Sequence, residues 1–143
     1  MAAIRTAKAH WEGSLIEGAG QVTLESSGLG TYDVTWAART EPEASGRTSP
    51  EELIAAAHST CFSMALSHGL AGAGTPPEAI DTVANVTFQP GEGITGIKLE
   101  VTGKVPGLTA EQFAEAAEEA KKNCPVSQAL TGTTITLDVN FTA

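Results

Sequence analysis

The chain contains two cysteines, Cys61 and Cys124, whose local sequences predict different chemistry. Cys124 precedes Pro125 at a predicted helix start, where free backbone N–H groups lower the pKa of a nearby thiol. A small residue packed beneath a helix start fits the same pattern. Cys61 lies on an apolar helix stripe, where burial raises the pKa of a thiol and leaves it inert. Cys61 therefore needs a nearby cation to react as a thiolate.

Few residues could supply this cation, because the chain holds only 8 lysines and arginines. Arg39 is the best candidate, since it follows a predicted apolar strand over 34–38 and its side chain can point into the interior. Arg47 is the nearby alternative. Glu51 is the carboxylate that could orient the arginine, and it also suits the first turn of a helix, where an acid is favourable. Glu52 is assigned to a capping box.

Metal binding is the competing chemistry for cysteine and histidine. The two cysteines are far apart in the sequence, the 3 histidines are scattered, and no C-x-x-C or H-x-x-x-H spacing is present. His58 and Cys61 could share one face of a helix at i, i+3, but such a pair is common by chance. We therefore expect no metal site and interpret His58 as a hydrogen-bonded histidine near the core.

The elements before Cys61 are predicted as three strands and a helix. Short β-favouring segments at 5–11, 21–25 and 32–38 are separated by glycines and indicate an antiparallel meander. The sequence Ser-Pro-Glu-Glu at 49–52 is a capping box with proline at the first helical position. The helix that follows is apolar on nearly every side over 53–66, which is typical of a helix buried in a core or an interface.

Two strands and a second capping box follow that helix. The strands are predicted over 80–88 and 94–105, and the second alternates between apolar and polar residues, so that one face is in water. The sequence Thr-Ala-Glu-Gln at 109–112 begins an amphipathic helix, which we expect to end at Asn123 in a left-handed conformation. The last elements are a short helix after Pro125 and a closing strand over 133–142.

The predicted fold is α+β, with the order β-β-β-α-β-β-α-α-β, in a single domain over residues 1–143. The net charge of −9 disfavours nucleic acid and an anionic membrane surface as partners. No apolar run approaches the roughly 20 residues that span a bilayer, and the N-terminal residues do not resemble a signal peptide. We expect a cytoplasmic protein, whose thiols are normally reduced.

Two long segments resemble the cysteine motifs of the OsmC/Ohr family of thiol peroxidases. One runs from Ser49 to Leu66 around Cys61, and the other is Cys-Pro-Val-Ser-Gln-Ala-Leu at 124–130. The sequence His-Trp-Glu-Gly at 10–13, the histidine before the first cysteine and the Val-Ser-Gln after the second resemble the OsmC branch more than the Ohr branch. The resemblance covers essentially the whole chain.

This resemblance implies an enzyme that reduces organic hydroperoxides and hydrogen peroxide as an intertwined homodimer without a cofactor. Cys61 matches the peroxidatic cysteine, and Cys124 matches the resolving cysteine. Arg39 and Glu51 match the arginine and glutamate of the family. Arg39 would hold Cys61 as a thiolate with a lowered pKa, and Glu51 would orient the guanidinium through a bidentate pair.

The same resemblance implies a chemical cycle. The Cys61 thiolate would attack the peroxide and become a sulfenic acid, and Cys124 would condense with it to a disulfide. An external dithiol donor, such as a lipoyl protein or thioredoxin, would then reduce the disulfide.

Helix geometry limits how Glu51 can act on Cys61. Ten residues separate them in the sequence, which corresponds to roughly 15 Å along one straight helix. Either Arg39 spans much of that distance, or Arg39 and Glu51 come from the partner chain of a dimer. We favour the second arrangement.

The alternative function is a non-enzymatic protein of the same fold. In that case both cysteines would be packing residues, and a groove between subunits would bind an apolar ligand. A redox-sensing regulator is disfavoured by the acidic charge and by the lack of a basic DNA-binding helix.

Overall fold

The computed structural model describes all 143 residues and divides into two compact units, Met1–Leu53 and Ile54–Ala143. The boundary falls inside helix α2, which spans Pro50–Gly72. No helix combines the length and the hydropathy needed to cross a membrane.

The first unit contains a three-stranded antiparallel sheet. Strand β1, Lys8–Glu12, pairs with β2, Ala19–Thr23, and β2 pairs with β3, Thr31–Val34. The predicted meander is therefore confirmed, although β1 and β3 are shorter than their β-favouring segments and β2 begins two residues before its segment. The third strand ends before Trp36 because the chain there turns into a helix.

Helix α1, Trp36–Thr40, occupies residues for which the sequence predicts the end of a strand. Its N-cap is Thr35, whose hydroxyl accepts a hydrogen bond from the Ala38 N–H at 3.1 Å. Such a cap satisfies a backbone group that a helix start leaves free. The placement of Arg39 at a strand end is therefore wrong, and Arg39 lies in the last turn of α1.

Helix α2 begins at the predicted capping sequence. The N–H of Glu52 donates to the Ser49 hydroxyl at 3.1 Å, as a helix cap requires. The Glu52 carboxylate accepts a hydrogen bond from the Thr48 hydroxyl, so it also ties the preceding loop to the helix. Pro50 stands at the first helical position, where its missing N–H costs nothing.

One face of α2 is buried and the opposite face is exposed. Phe62, Leu66 and Leu70 are at most 2% exposed and belong to the core of the second unit. On the other face Thr60 is exposed, and Met64 is 67% exposed. The apolar character of the whole helix was predicted from the sequence, but one chain covers only part of that surface.

The second unit is built on a three-stranded sheet with the order β4-β5-β6. Strand β5, Gly93–Lys104, lies in the centre, antiparallel to β4, Ala79–Gln89, and parallel to β6, Thr134–Thr142. Alternate side chains of β5 are fully buried, as its sequence pattern predicts, and they pack in the same core as α2.

Two helices lie between β5 and β6. Helix α3, Ala110–Asn123, starts with the predicted capping box of Thr109 and Gln112, which is confirmed in both directions. Its apolar face is buried through Phe113 and neighbouring alanines. The prediction of a left-handed Asn123 is wrong, because Asn123 completes α3 and Ser45 is the non-glycine residue with a positive φ.

Helix α4, Pro125–Ala129, follows α3 directly, with Cys124 as the residue between them. Since proline can start a helix without donating an N–H, the chain needs no left-handed residue at this junction. The order of elements agrees with the prediction apart from the additional α1, and the α+β fold class is confirmed.

Candidate active site

The two cysteines lie together in the second unit. Cys61 is partly buried on α2, and Cys124 is fully buried at the start of α4. Both are free thiols, and they lie close enough for Cys124 to shift the pKa of Cys61. Two reduced thiols in contact are the arrangement from which a disulfide forms by oxidation.

A backbone N–H from α4 points at Cys61. Val126 donates it, and because Pro125 has no N–H, this is the first N–H that α4 offers. The sequence left two interpretations of Cys124 open, a thiol that receives the free N–H groups of this helix and a small residue packed beneath the helix start. Cys124 is fully buried and makes no side-chain cap hydrogen bond, which agrees with the second, and the Val126 N–H acts on Cys61 instead.

The pKa of Cys61 reflects opposing effects. Burial raises the pKa of this thiol, and the neighbouring Cys124 raises it as well, whereas the Val126 N–H lowers it. In the single chain the net direction of the Cys61 pKa is upward, and the lowering expected from an arginine of the partner chain stays a prediction. Desolvation of the thiolate outweighs one backbone hydrogen bond. A reactive thiolate therefore needs positive charge in addition to the Val126 N–H.

His58 lies three residues before Cys61 on α2 and is fully buried. Its Nε2 is 2.7 Å from the Oγ of Ser127, which is 3% exposed. The interpretation of His58 as a hydrogen-bonded histidine in the core is therefore confirmed. Burial lowers the pKa of His58, and its Nδ1 has no hydrogen-bond partner.

No group of three or more His, Cys, Asp or Glu side chains lies close enough to hold a metal ion.

Arg39 and Glu51 form an ion pair in the first unit. Arg39 Nε is 3.0 Å from Glu51 Oε1, and Arg39 Nη2 is 2.9 Å from Oε2, which is bidentate geometry. Glu51 is 7% exposed, so the pair is largely shielded from water. Arg47, the alternative cation, is exposed.

Trp36 is the second partner of the guanidinium. The centroid of its ring is 5.8 Å from Arg39 Cζ, within the range of a cation–π contact. The two residues are three apart on α1, so they share one face of that helix. Trp36 is not predicted from the sequence as a partner of Arg39, because residues three apart do not share a face of a strand and the segment was interpreted as a strand.

An apolar cavity of about 460 Å³ adjoins Arg39 within the first unit. Its wall is made largely of hydrophobic side chains, including Trp11, Val34, Trp36 and Leu53. Arg39 is the charged residue of the lining. The cavity could therefore hold an organic group with a polar end at the guanidinium.

Known proteins resemble this chain over nearly its whole length. A family model described as OsmC-like protein matches residues 42–140. Peroxiredoxin OsmC of Escherichia coli strain K12 is 46% identical over 134 residues, which cover 92% of each chain.

Solved structures agree with these sequence matches. The organic hydroperoxide resistance protein OsmC from Legionella pneumophila has a TM-score of 0.72 and 25% identity, covering 98% of both chains. An organic hydroperoxide resistance protein from Elizabethkingia anophelis has a TM-score of 0.71 and 26% identity, covering 99% of this chain and 100% of its own. Together with the two cysteine motifs, these matches show that the chain belongs to the OsmC-like protein family.

Proposed function

We propose that this protein is a thiol-dependent peroxidase that reduces organic hydroperoxides and hydrogen peroxide at Cys61. The observation that carries the proposal is the proximity of two free thiols, of which Cys61 is also influenced by the Val126 backbone N–H. The E. coli relative is named a peroxiredoxin, and the Legionella and Elizabethkingia proteins are named for organic hydroperoxide resistance. The same proximity argues against cysteines that serve only as packing residues.

In the proposed reaction the Cys61 thiolate attacks the distal peroxide oxygen. An S–O bond forms, the O–O bond breaks, and the leaving alkoxide takes a proton to become an alcohol. The Cys124 sulfur then attacks the sulfenic sulfur and releases water, which leaves a disulfide. The two thiols supply the two electrons, and an external dithiol restores them by exchange.

Arg39 is proposed as the cation that stabilises the Cys61 thiolate, with Glu51 fixing its orientation. We place this pair in the partner protomer of a homodimer. Support comes from the sequence spacing, because ten residues separate Glu51 from Cys61, which corresponds to roughly 15 Å along one straight helix. The exposed apolar face of α2 is a surface that a second copy could cover.

The cavity beside Arg39 is proposed to bind the organic part of the substrate. Its apolar wall suits a hydrocarbon group, and the guanidinium suits the peroxide oxygens. We propose that residues 1–143 act as one functional domain, without a bound cofactor. A cytoplasmic location fits a site that must be kept reduced.

Turnover tests this proposal and identifies the donor. Purified protein is mixed with cumene hydroperoxide and either dihydrolipoamide or thioredoxin, and loss of peroxide is followed over time. We expect catalytic consumption with at least one donor, because the disulfide must be reduced by a second dithiol. Consumption no faster than in protein-free controls with both donors would contradict the proposal.

A further inference from the structure

We propose that His58 and Ser127 are positioning residues that hold the Val126 N–H and Cys124 against the sulfur of Cys61. The inference rests on the proposed function, since it assigns a further role within that thiol site. Its starting point is the buried hydrogen bond of 2.7 Å between His58 Nε2 and Ser127 Oγ, which joins α2 to α4.

Helix α2 contacts the start of α4 at two points. Cys61 meets Cys124 and the N–H of Val126. One turn earlier on α2, His58 meets Ser127, the residue that follows Val126. Because neighbouring backbone atoms move together, a shift at Ser127 displaces the Val126 N–H. A hydrogen bond weakens steeply when its distance or angle departs from the optimum.

Two other hydrogen bonds at this end of α4 lead to α3. The N–H of Cys124 donates to the Ala120 carbonyl at 2.8 Å, and the Gln128 amide donates to the Lys122 carbonyl at 3.3 Å. Both acceptors belong to α3. These contacts set α4 relative to α3, whereas the histidine–serine bond sets it relative to the helix that carries Cys61.

The protonation and the hydrogen bonding of His58 indicate that its Nε2 has a specific role. Its Nδ1 is buried without a partner, and burial lowers its pKa, so the ring is neutral at pH 7. An unsatisfied buried nitrogen is unfavourable compared with an apolar side chain of similar size. The hydrogen bond by which His58 holds Ser127 in place accounts for a buried histidine at this position.

The experiment measures the pKa of Cys61 in the full-length protein. The pH dependence of alkylation is followed by mass spectrometry of the Cys61 peptide. In Ser127→Ala we expect this pKa to rise by about one unit, as a weakened hydrogen bond to a thiolate requires. Alkylation and peroxide attack at a fixed pH below the pKa should both slow by about tenfold.

Ser63→Ala is the matched control. Ser63 also lies on α2 and makes a hydrogen bond of 2.7 Å, but to Thr82 on β4. We expect it to leave the pKa of Cys61 unchanged. His58→Gln should stay near the wild-type value as well, because its amide nitrogen can reach the serine hydroxyl, whereas His58→Leu should match Ser127→Ala.

The outcomes separate this inference from the proposed function. A wild-type pKa in folded Ser127→Ala, or an equal rise in Ser63→Ala, would overturn the positioning role. Should Ser127→Ala fail to fold, the comparison of His58→Gln with His58→Leu decides the question, and equal pKa values in those two would overturn it. A wild-type protein without peroxidase activity would refute the proposed function, while the alkylation data would still decide the role of Ser127.

Discussion

Replacing Cys61 with serine should abolish peroxide reduction, because a serine hydroxyl does not ionise to a nucleophile near neutral pH. Replacing Cys124 with serine should have a different effect. The first attack needs only Cys61, so one equivalent of peroxide should still be consumed. The sulfenic acid then has no resolving thiol and should oxidise further to sulfinic acid under excess peroxide.

Mass spectrometry of each protein after peroxide treatment reads these outcomes directly. We expect oxygen atoms on Cys61 in Cys124→Ser and no oxidation of Cys124 in Cys61→Ser. The two variants serve as controls for each other, since both lack one thiol and neither can form the internal disulfide. Oxygen on Cys124 with retained turnover in Cys61→Ser would mean that the two roles must be exchanged.

Mixing the slow variant Arg39→Ala with the inactive variant Cys61→Ser should restore activity if Arg39 acts across a dimer. Arg39→Ala alone should slow peroxide attack by about 10- to 1,000-fold, the range expected when a thiolate loses an opposite charge. A mixed dimer of Arg39→Ala and Cys61→Ser has one site in which both residues are intact. Random mixing should give about a quarter of the wild-type number of sites.

Controls for the mixing experiment test its premises separately. Light scattering must show a dimer, and a monomer at micromolar concentration would contradict the arrangement. Arg47→Ala is the matched variant, because it removes the other nearby arginine, which is exposed. We expect it to retain activity. Mixed dimers without restored activity would place Arg39 and Cys61 in the same protomer.

Local sequence signals predicted most of the elements that carry the site. Ser49, Thr109 and Pro125 mark the starts of α2, α3 and α4, because capping and proline chemistry act over only a few residues. Helix α1 was missed, since Thr35 is also a β-favouring residue and follows a strand directly. A five-residue helix offers too little periodicity to oppose that interpretation.

The contacts within the site depend on tertiary packing. Cys61 and Cys124 are far apart in the chain, so their contact follows from how α2 packs against α4, which no local pattern encodes. Pro125 predicts that α4 begins there and offers a free backbone N–H, but its position in the sequence does not show which cysteine sulfur lies beside that N–H. Ser127 was missed although it directly follows Val126, because a serine near a helix start is usually solvated.

The most direct test of the central claim is a count of free thiols. Wild-type protein is titrated with a thiol reagent before and after one equivalent of cumene hydroperoxide, and its intact mass is measured. The peroxidase mechanism predicts that both thiols disappear and that the chain loses the mass of two hydrogen atoms, because Cys61 and Cys124 form a disulfide. Two thiols that stay titratable would contradict it and favour a protein that binds apolar ligands and has structural cysteines.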